Sequence, residues 1–169
     1  MWLYSGKGDN GSTNLFDGKK IQKDDVVFEL IGTLDEATAY IGQTISFCQD
    51  KDLIQDLVKI QDILSKIMGI VAGAGDSVIA GRLNFDELLE WLEKRIHYYG
   101  KGLDNPNSFI YAGKTTLGAC LDIARTSIRR CERIAVRLLN ENTSINPVYL
   151  PILNRLSSFF YTVRLFVDQ

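Results

Sequence analysis

The sequence predicts an all-α protein, a bundle of five helices preceded by a glycine-rich N-terminal loop. Apolar residues recur at steps of three and four over five separate stretches, which draws one stripe along each helix. Strand-like alternation is missing outside Tyr4 and Val26–Phe28. With 169 residues, 46% hydrophobic and 24% charged, the chain suggests one domain with a sizeable core. That domain runs over 1–169, with the loop at 1–25 and the bundle at 26–169.

Residues 5–25 are polar and rich in glycine and lysine, so they read as loop, with Leu15, Phe16 and Ile21 available to pin it to a surface. The first helix spans roughly Glu29–Gln49 on Leu30, Leu34, Ala37, Ile41, Ile45 and Cys48. Asp50-Lys51-Asp52 makes the turn. Leu53 to about Ala72 gives the second helix, with Leu57, Ile60, Ile63, Leu64, Ile67 and Val71 inward. Gly73-Ala74-Gly75-Asp76-Ser77 interrupts. Asn84 caps a third helix that runs to about His97, with Asp86 and Glu87 in its first turn. Gly100 to Gly113 is a loop. The fourth helix runs from about Thr115 to Asn140, and the last starts at Asn146-Pro147 and carries Leu150, Leu153, Leu156, Phe160, Val163 and Val167.

The fourth helix holds the most informative stretch, Arg125, Arg129, Arg130, Glu132, Arg133 and Arg137. On a helical wheel Arg130, Arg133 and Arg137 fall on the solvated side. Arg125 and Glu132 sit at the edge of the apolar stripe and Arg129 just beyond it. A charge at that edge needs a partner or a ligand, and the arginine fork suits phosphate. An ion-paired structural helix accounts for the same residues. The net charge of −2 makes the cluster local, which argues for a confined anion site and against general nucleic-acid binding.

Other motifs carry less. Gly6-Lys7-Gly8-Asp9-Asn10-Gly11 spells a dinucleotide fingerprint without the strand and βαβ unit it requires. Its glycines still let backbone N–H groups approach phosphate, with Lys7, Lys19, Lys20 and Lys23 for charge. The single histidine, His97, excludes a di-iron bundle, and His97, Tyr98 and Tyr99 read as decoration of a helix end. No nucleophilic triad is present. Asp35 and Glu36 suit the helix dipole, and Asp35 flanks the apolar stripe where an arginine would want it. Asn154, a poor helix former beside Leu153, suggests a polar contact made inward. Cys48, Cys120 and Cys131 read as core residues in a reducing compartment. No secretory or membrane-spanning segment is apparent, so a cytoplasmic protein away from membranes is expected.

Taken together the blocks resemble one family, the ATP:cob(I)alamin adenosyltransferases of the propanediol-utilisation type. Tyr4-Ser5-Gly6-Lys7-Gly8-Asp9-Asn10-Gly11-Ser12-Thr13 resembles the family's Y-T-K-T-G-D-x-G segment. Lys23-Asp24-Asp25 and Gly32-Thr33-Leu34-Asp35-Glu36 are similar to its K-D-D and G-T-x-D-E blocks. Ile60-Gln61, Phe109-Ile110, Arg125 through Arg133 and Leu153-Asn154-Arg155-Leu156-Ser157 follow in the family's order. Ser5-Gly6-Lys7 shifts the family's lysine by one position, and the Phe109 loop lacks its proline.

The resemblance implies a homotrimer of ferritin-like five-helix bundles that binds ATP between subunits. The activity implied is transfer of the 5′-deoxyadenosyl group to the cobalt of cob(I)alamin with release of triphosphate. By position, Ser5, Gly6, Lys7, Gly8, Thr13, Asn14 and Lys23 would hold ATP from one side. Arg129, Arg130, Glu132, Arg133 and Asn154 would hold it from the other. Asp35 and Arg125 would pair across a subunit interface, and Phe109 would cover the lower face of the corrin. Magnesium would ride on the ATP phosphates, with no metal ligand supplied by protein side chains. A reductase and an adenosylcobalamin-dependent enzyme are the implied partners. An ATP-binding regulator or cofactor carrier without transferase activity remains the alternative on the residues alone.

Overall fold

The computed structural model describes residues 6, 8–74, 84–104, 106–141 and 147–169. Five helices make up most of it: α1 Val26–Phe47, α2 Lys51–Val71, α3 Phe85–Gly100, α4 Thr116–Asn140 and α5 Leu150–Val167. Each of the first four opens on a side-chain cap that satisfies a backbone N–H no helical carbonyl can reach. Asp25 accepts from Val27 N–H, Asp50 from Asp52 and Leu53, Asn84 from Glu87, and Thr115 from Gly118. The α5 helix has no such cap. A 3₁₀ turn, Pro147–Tyr149, leads into it, so it begins three residues after the expected Pro147 start, with Pro151 in its tolerant first turn.

Two segments differ from the sequence reading. Val26–Phe28 is the first turn of α1 rather than a strand-like run, because the Asp25 cap sets the helix start there. Within the segment read wholly as loop, Ser12–Asn14 (β1) and Lys20–Gln22 (β2) pair antiparallel as a small hairpin. Its tip is tied to the end of α2 by Phe16 N–H donating to the Ala72 carbonyl at 2.8 Å. The Phe16 ring itself is 77% exposed, so backbone rather than burial does the pinning.

Helix α1 packs between α2 and α4, and α5 packs between α4 and α3. The stripes meet in one core, in which Leu34, Leu57, Leu121, Ile128, Leu156 and Phe160 are fully buried. Each such side chain contributes on the order of 1.5–3 kcal/mol. Side chains from α3 also reach back to α2. Asp56 accepts from Arg95 Nε at 2.6 Å and from the Tyr99 hydroxyl at 2.8 Å. Tyr99 is thus a buried core residue rather than decoration, whereas His97 is exposed. No helix among the described residues is long and apolar enough to cross a membrane.

Candidate functional site

Helix α4 is buried along Leu121, Ala124, Ile128, Cys131 and Ala135, which turns Arg129, Arg130, Arg133 and Arg137 to solvent. Burial pushes the Cys131 thiol up to about 12, so it is an inert core group beneath the arginines. Two of these arginines are held by α1: Arg130 pairs with Glu36 and Arg137 with Glu29. Glu36 also accepts from the Tyr40 hydroxyl at 3.0 Å, and that bond raises the tyrosine pKa. Arg129 and Arg133 make no hydrogen bond or ion pair among the described residues and stand open to a ligand.

The two edge charges find the partners they need within the chain. Arg125 Nε donates to Asp122 Oδ1 at 2.7 Å, one turn back on α4, and Glu132 accepts from Asn154 Nδ2 at 3.0 Å. Asn154 is exposed rather than inward, because Leu153 and Leu156 take the core-facing positions on either side. It bridges α5 to α4 and accepts from Arg155 Nη1 in turn. Asp35 is exposed and unbonded among the described residues, so it does not meet Arg125 within this chain.

Three hollows adjoin along α4. The first, of about 280 Å³, lies toward α1 and is lined by Glu36, Tyr40, Ser127, Arg130 and Arg133. The second, of about 470 Å³, lies under the loop before α4, between Phe109, Ile110 and Ala112 on one side and Ile123, Arg125 and Thr126 on the other. The third, of about 250 Å³, lies toward α5 and gathers Arg125 and Arg129 with Ser157, Ser158, Tyr161 and Thr162. Ile123 and Thr126 belong to both the first and the second, and Arg125 to both the second and the third. An apolar groove therefore shares its walls with two polar, arginine-bearing hollows. Phe109 is 81% exposed and meets Tyr111, 82% exposed, edge-on at 5.2 Å. A large aromatic pair held in solvent is a surface for a flat apolar ligand.

One cluster behind this groove was missed in the sequence. Arg164 is only 1% exposed, with Nε 3.1 Å from Asp168 Oδ2 and 3.5 Å from Asp122 Oδ2. Its Nη2 donates to the Tyr111 carbonyl. Asp168 also accepts from Thr115 Oγ1 at 2.6 Å, and its backbone carbonyl accepts from Lys114 Nζ. The signal was present. Arg164 lies four residues after Phe160, on the apolar stripe of α5, and an aspartate follows it at i+4.

The N-terminal residues form a separate group. Gly8 has φ +95°, and a Cβ there would lie 3.0 Å from the Ser12 carbonyl and 3.3 Å from Lys23 Cε, so only glycine suits the position. Lys23 N–H donates to the Gly11 carbonyl, which holds the lysine against the turn. Gly8, Asn10, Thr13, Asn14 and Lys20 surround a polar hollow of about 420 Å³. Gly6 is exposed with φ +67°. Ser5 and Lys7 lie outside the described residues. No hydrogen bond or ion pair joins this hairpin to the α4 arginines among the described residues.

The family model described as cobalamin adenosyltransferase matches residues 3–167. A corrinoid adenosyltransferase of Bacillus subtilis is 32% identical over 99% of this chain and 87% of its own length. The corrinoid adenosyltransferase PduO of Salmonella typhimurium is 30% identical over 96% of this chain and 48% of its own. Among solved structures, a variant of a PduO-type ATP:corrinoid adenosyltransferase from Lactobacillus reuteri, complexed with cobalamin and ATP, superposes with a TM-score of 0.90. It is 28% identical, and the match covers 99% of this chain and 91% of that one. On the extent of these matches, and with the helical architecture they share, the chain belongs to the cobalamin adenosyltransferase family.

Proposed function

We propose that this protein transfers the 5′-deoxyadenosyl group of ATP to the cobalt of cob(I)alamin and releases triphosphate. The observation that carries this is the shared wall on α4, where an apolar groove under Phe109 adjoins hollows bearing Arg129, Arg130 and Arg133. Such a surface suits two substrates at once, one flat and apolar and one polyanionic. The relatives are named for the same activity, and one was solved with both ligands.

The reaction asks little proton chemistry of the protein. The doubly occupied cobalt orbital of cob(I)alamin attacks C5′ of the ribose, a Co–C bond forms, and the C5′–O bond breaks. Its electron pair departs with the triphosphate, and the cobalt ends formally as Co(III). No general base or protein nucleophile is needed, in keeping with the triad missing from the sequence. The chain's own work is to bring the two substrates into line and to stabilise the leaving group.

Arg129 and Arg133, exposed and unpaired within the described chain, are the side chains we assign to the phosphates. Arg130 would exchange Glu36 for phosphate, and Glu132 and Asn154 would hold the nucleotide through their mutual hydrogen bond. The turn at Gly8 with Gly6, Thr13, Asn14 and Lys23 would hold the nucleotide from the other side, and Ser5 and Lys7, which lie outside the described residues, are assigned there by position in the sequence alone. Because this hairpin makes no bond to α4 among the described residues, the two halves suit facing subunits of a homotrimer. Asp35 would pair across that boundary with the Nη groups of Arg125, whose Nε stays on Asp122. Phe109 is assigned to the lower face of the corrin.

Magnesium belongs to the same reading. No group of three or more acidic, histidine or cysteine side chains that could hold a metal occurs among the described residues. Magnesium would ride on the ATP phosphates, where it would neutralise part of the leaving-group charge. We place the protein in the cytoplasm as one domain over 1–169, with a reductase upstream and an adenosylcobalamin-dependent enzyme downstream. Three free, buried cysteines accord with a reducing compartment.

Titration with ATP and with cob(II)alamin tests the shared wall. Each should bind separately, and Arg129→Ala should weaken ATP much more than corrinoid. An arginine variant that weakened neither ligand would overturn the assignment. ATP binding without corrinoid binding or turnover would favour a regulator instead.

A further inference from the structure

We propose that Arg164 is a positioning residue for corrinoid binding. It holds the Phe109 loop and, through Asp122, the Arg125 wall of the same groove. The inference rests on the functional reading above and assigns a role to a buried charge that this reading leaves unused.

The loop over 106–114 is weakly held by anything else. Among the described residues it makes no backbone–backbone hydrogen bond. Phe109 and Tyr111 are both more than four-fifths exposed, and Pro106 and Ile110 are only partly covered and do not pack on the core, so apolar burial contributes little. Its ties are polar and converge on the last turn of α5: the Tyr111 carbonyl accepts from Arg164 Nη2, and Lys114 Nζ donates to the Asp168 carbonyl.

The anchor itself is buried. Arg164 is 1% exposed and Asp168 8%, and Thr115 Oγ1 holds the Asp168 carboxylate where α4 begins. A Cβ on Gly118 would stand 2.3 Å from Asp168 Oδ1, so glycine at that position makes room for the carboxylate. Arg164 Nε faces Asp168 Oδ2 as an ion pair without hydrogen-bond alignment. Its best-directed donor is therefore the one spent on the loop carbonyl.

Asp122 joins the two walls. Its Oδ2 faces Arg164 at 3.5 Å and its Oδ1 accepts from Arg125 Nε at 2.7 Å. One carboxylate thus faces the guanidinium that carries the loop and holds the guanidinium that lines the groove opposite Phe109. Displacing Arg164 frees the Tyr111 carbonyl and changes the charge facing Asp122, so both walls move while the open arginines Arg129 and Arg133 do not.

The test compares Arg164→Lys and Asp168→Asn with the unsubstituted protein, and uses Asp56→Asn on the α2–α3 side as a control for destabilisation alone. Three quantities are read on each: ATP affinity by calorimetry, cob(II)alamin affinity by absorbance, and amide hydrogen exchange over 106–114 in the free protein. Lysine keeps the charge between the carboxylates but lacks the fork that also reaches Tyr111. We expect exchange in the loop to rise about tenfold or more and corrinoid affinity to fall about tenfold, with ATP affinity within about twofold. The control should shift neither the loop nor the ratio of the two affinities. Equal losses for both ligands, an unchanged loop, or variants that do not fold at all would each overturn the inference. If the unsubstituted protein binds no corrinoid, the functional reading itself fails. If it binds both ligands and the variants leave their ratio unchanged, only the role of Arg164 fails.

Discussion

Arg129 and Arg137 lie two turns apart on the same helix, yet they differ in what holds them. Arg137 is half-exposed and already paired with Glu29 and Glu141, whereas Arg129 has no partner among the described residues and lines a hollow with the hydroxyl-bearing α5 residues Ser157, Ser158, Tyr161 and Thr162. A charge-assisted hydrogen bond to phosphate contributes on the order of 1.5–3 kcal/mol, so Arg129→Ala should weaken ATP binding about ten- to a hundredfold. Arg137→Ala removes only exposed pairs worth about 0–1 kcal/mol and should leave ATP affinity nearly unchanged. Calorimetric titration of both variants checks this, and equal effects would contradict it. Phe109 gives a second contrast at this scale. With 81% of the residue exposed, Phe109→Ala leaves no cavity and should shift stability by no more than about 0.5 kcal/mol. Adenosylation should still slow when cobalt must be reduced on the enzyme from Co(II), and slow less when free Co(I) is supplied. A large loss of melting temperature with equal losses in both rates would make Phe109 a fold anchor instead.

The α2–α3 contact shows how helices of this bundle are specified by more than their stripes. Asp56, Arg95 and Tyr99 form a partly buried hydrogen-bonded triangle, and the Arg95 guanidinium also lies over the Tyr98 ring, 4.4 Å from its centroid. Asp56→Ala would strand the arginine. The cost should fall at the lower end of about 3–5 kcal/mol, because the Arg95 side chain is still 22% exposed. None of the three lines a hollow on α4, so ATP affinity should hold while the melting temperature falls. Burial also sets an alkaline limit. It pushes Cys131 from 9.0 to about 12 and Tyr149 from 10.0 to about 12, and it raises Tyr99 further with help from the Asp56 carboxylate. Such groups keep their protons in the fold at pH values where the unfolded chain releases them. Their stabilisation is complete below pH about 9 and is lost as pH rises toward about 12. Melting temperatures taken across that window should fall steadily, and a flat profile would contradict the assignment.

The same scale explains what the sequence could and could not tell. Stripes of 20 or so residues, such as Leu53 to Val71, stand far above chance, so all five helices were legible. Three-residue strands carry no alternation to read, and the β1–β2 hairpin was invisible for that reason. Arg164 hides on a stripe whose period is set by its apolar members, although a charge on such a stripe is the more informative residue. The edge charges Arg125 and Glu132 were rightly suspected of needing partners. Their partners lie within the chain: Asp122 one turn back on the same helix, where the wheel of α4 does show it, and Asn154 on the neighbouring helix, where a single wheel does not.

For the molecule as a whole, the nucleotide site is proposed to be split between the hairpin of one subunit and the α4 arginines of the next. Sedimentation at micromolar concentration should therefore give a trimer. Mixing a Lys23→Ala chain with an Arg129→Ala chain should restore activity in sites that combine the two intact halves. A monomer with full ATP affinity would contradict the split site. The central claim, that the chain carries the adenosyl group from ATP to cobalt, is tested most directly by an anaerobic assay with ATP, Mg²⁺ and chemically reduced cobalamin. The account predicts that the adenosylcobalamin spectrum grows in step with inorganic triphosphate, one for one. Bound ATP with no spectral change, or release of ADP and phosphate in place of triphosphate, would contradict it.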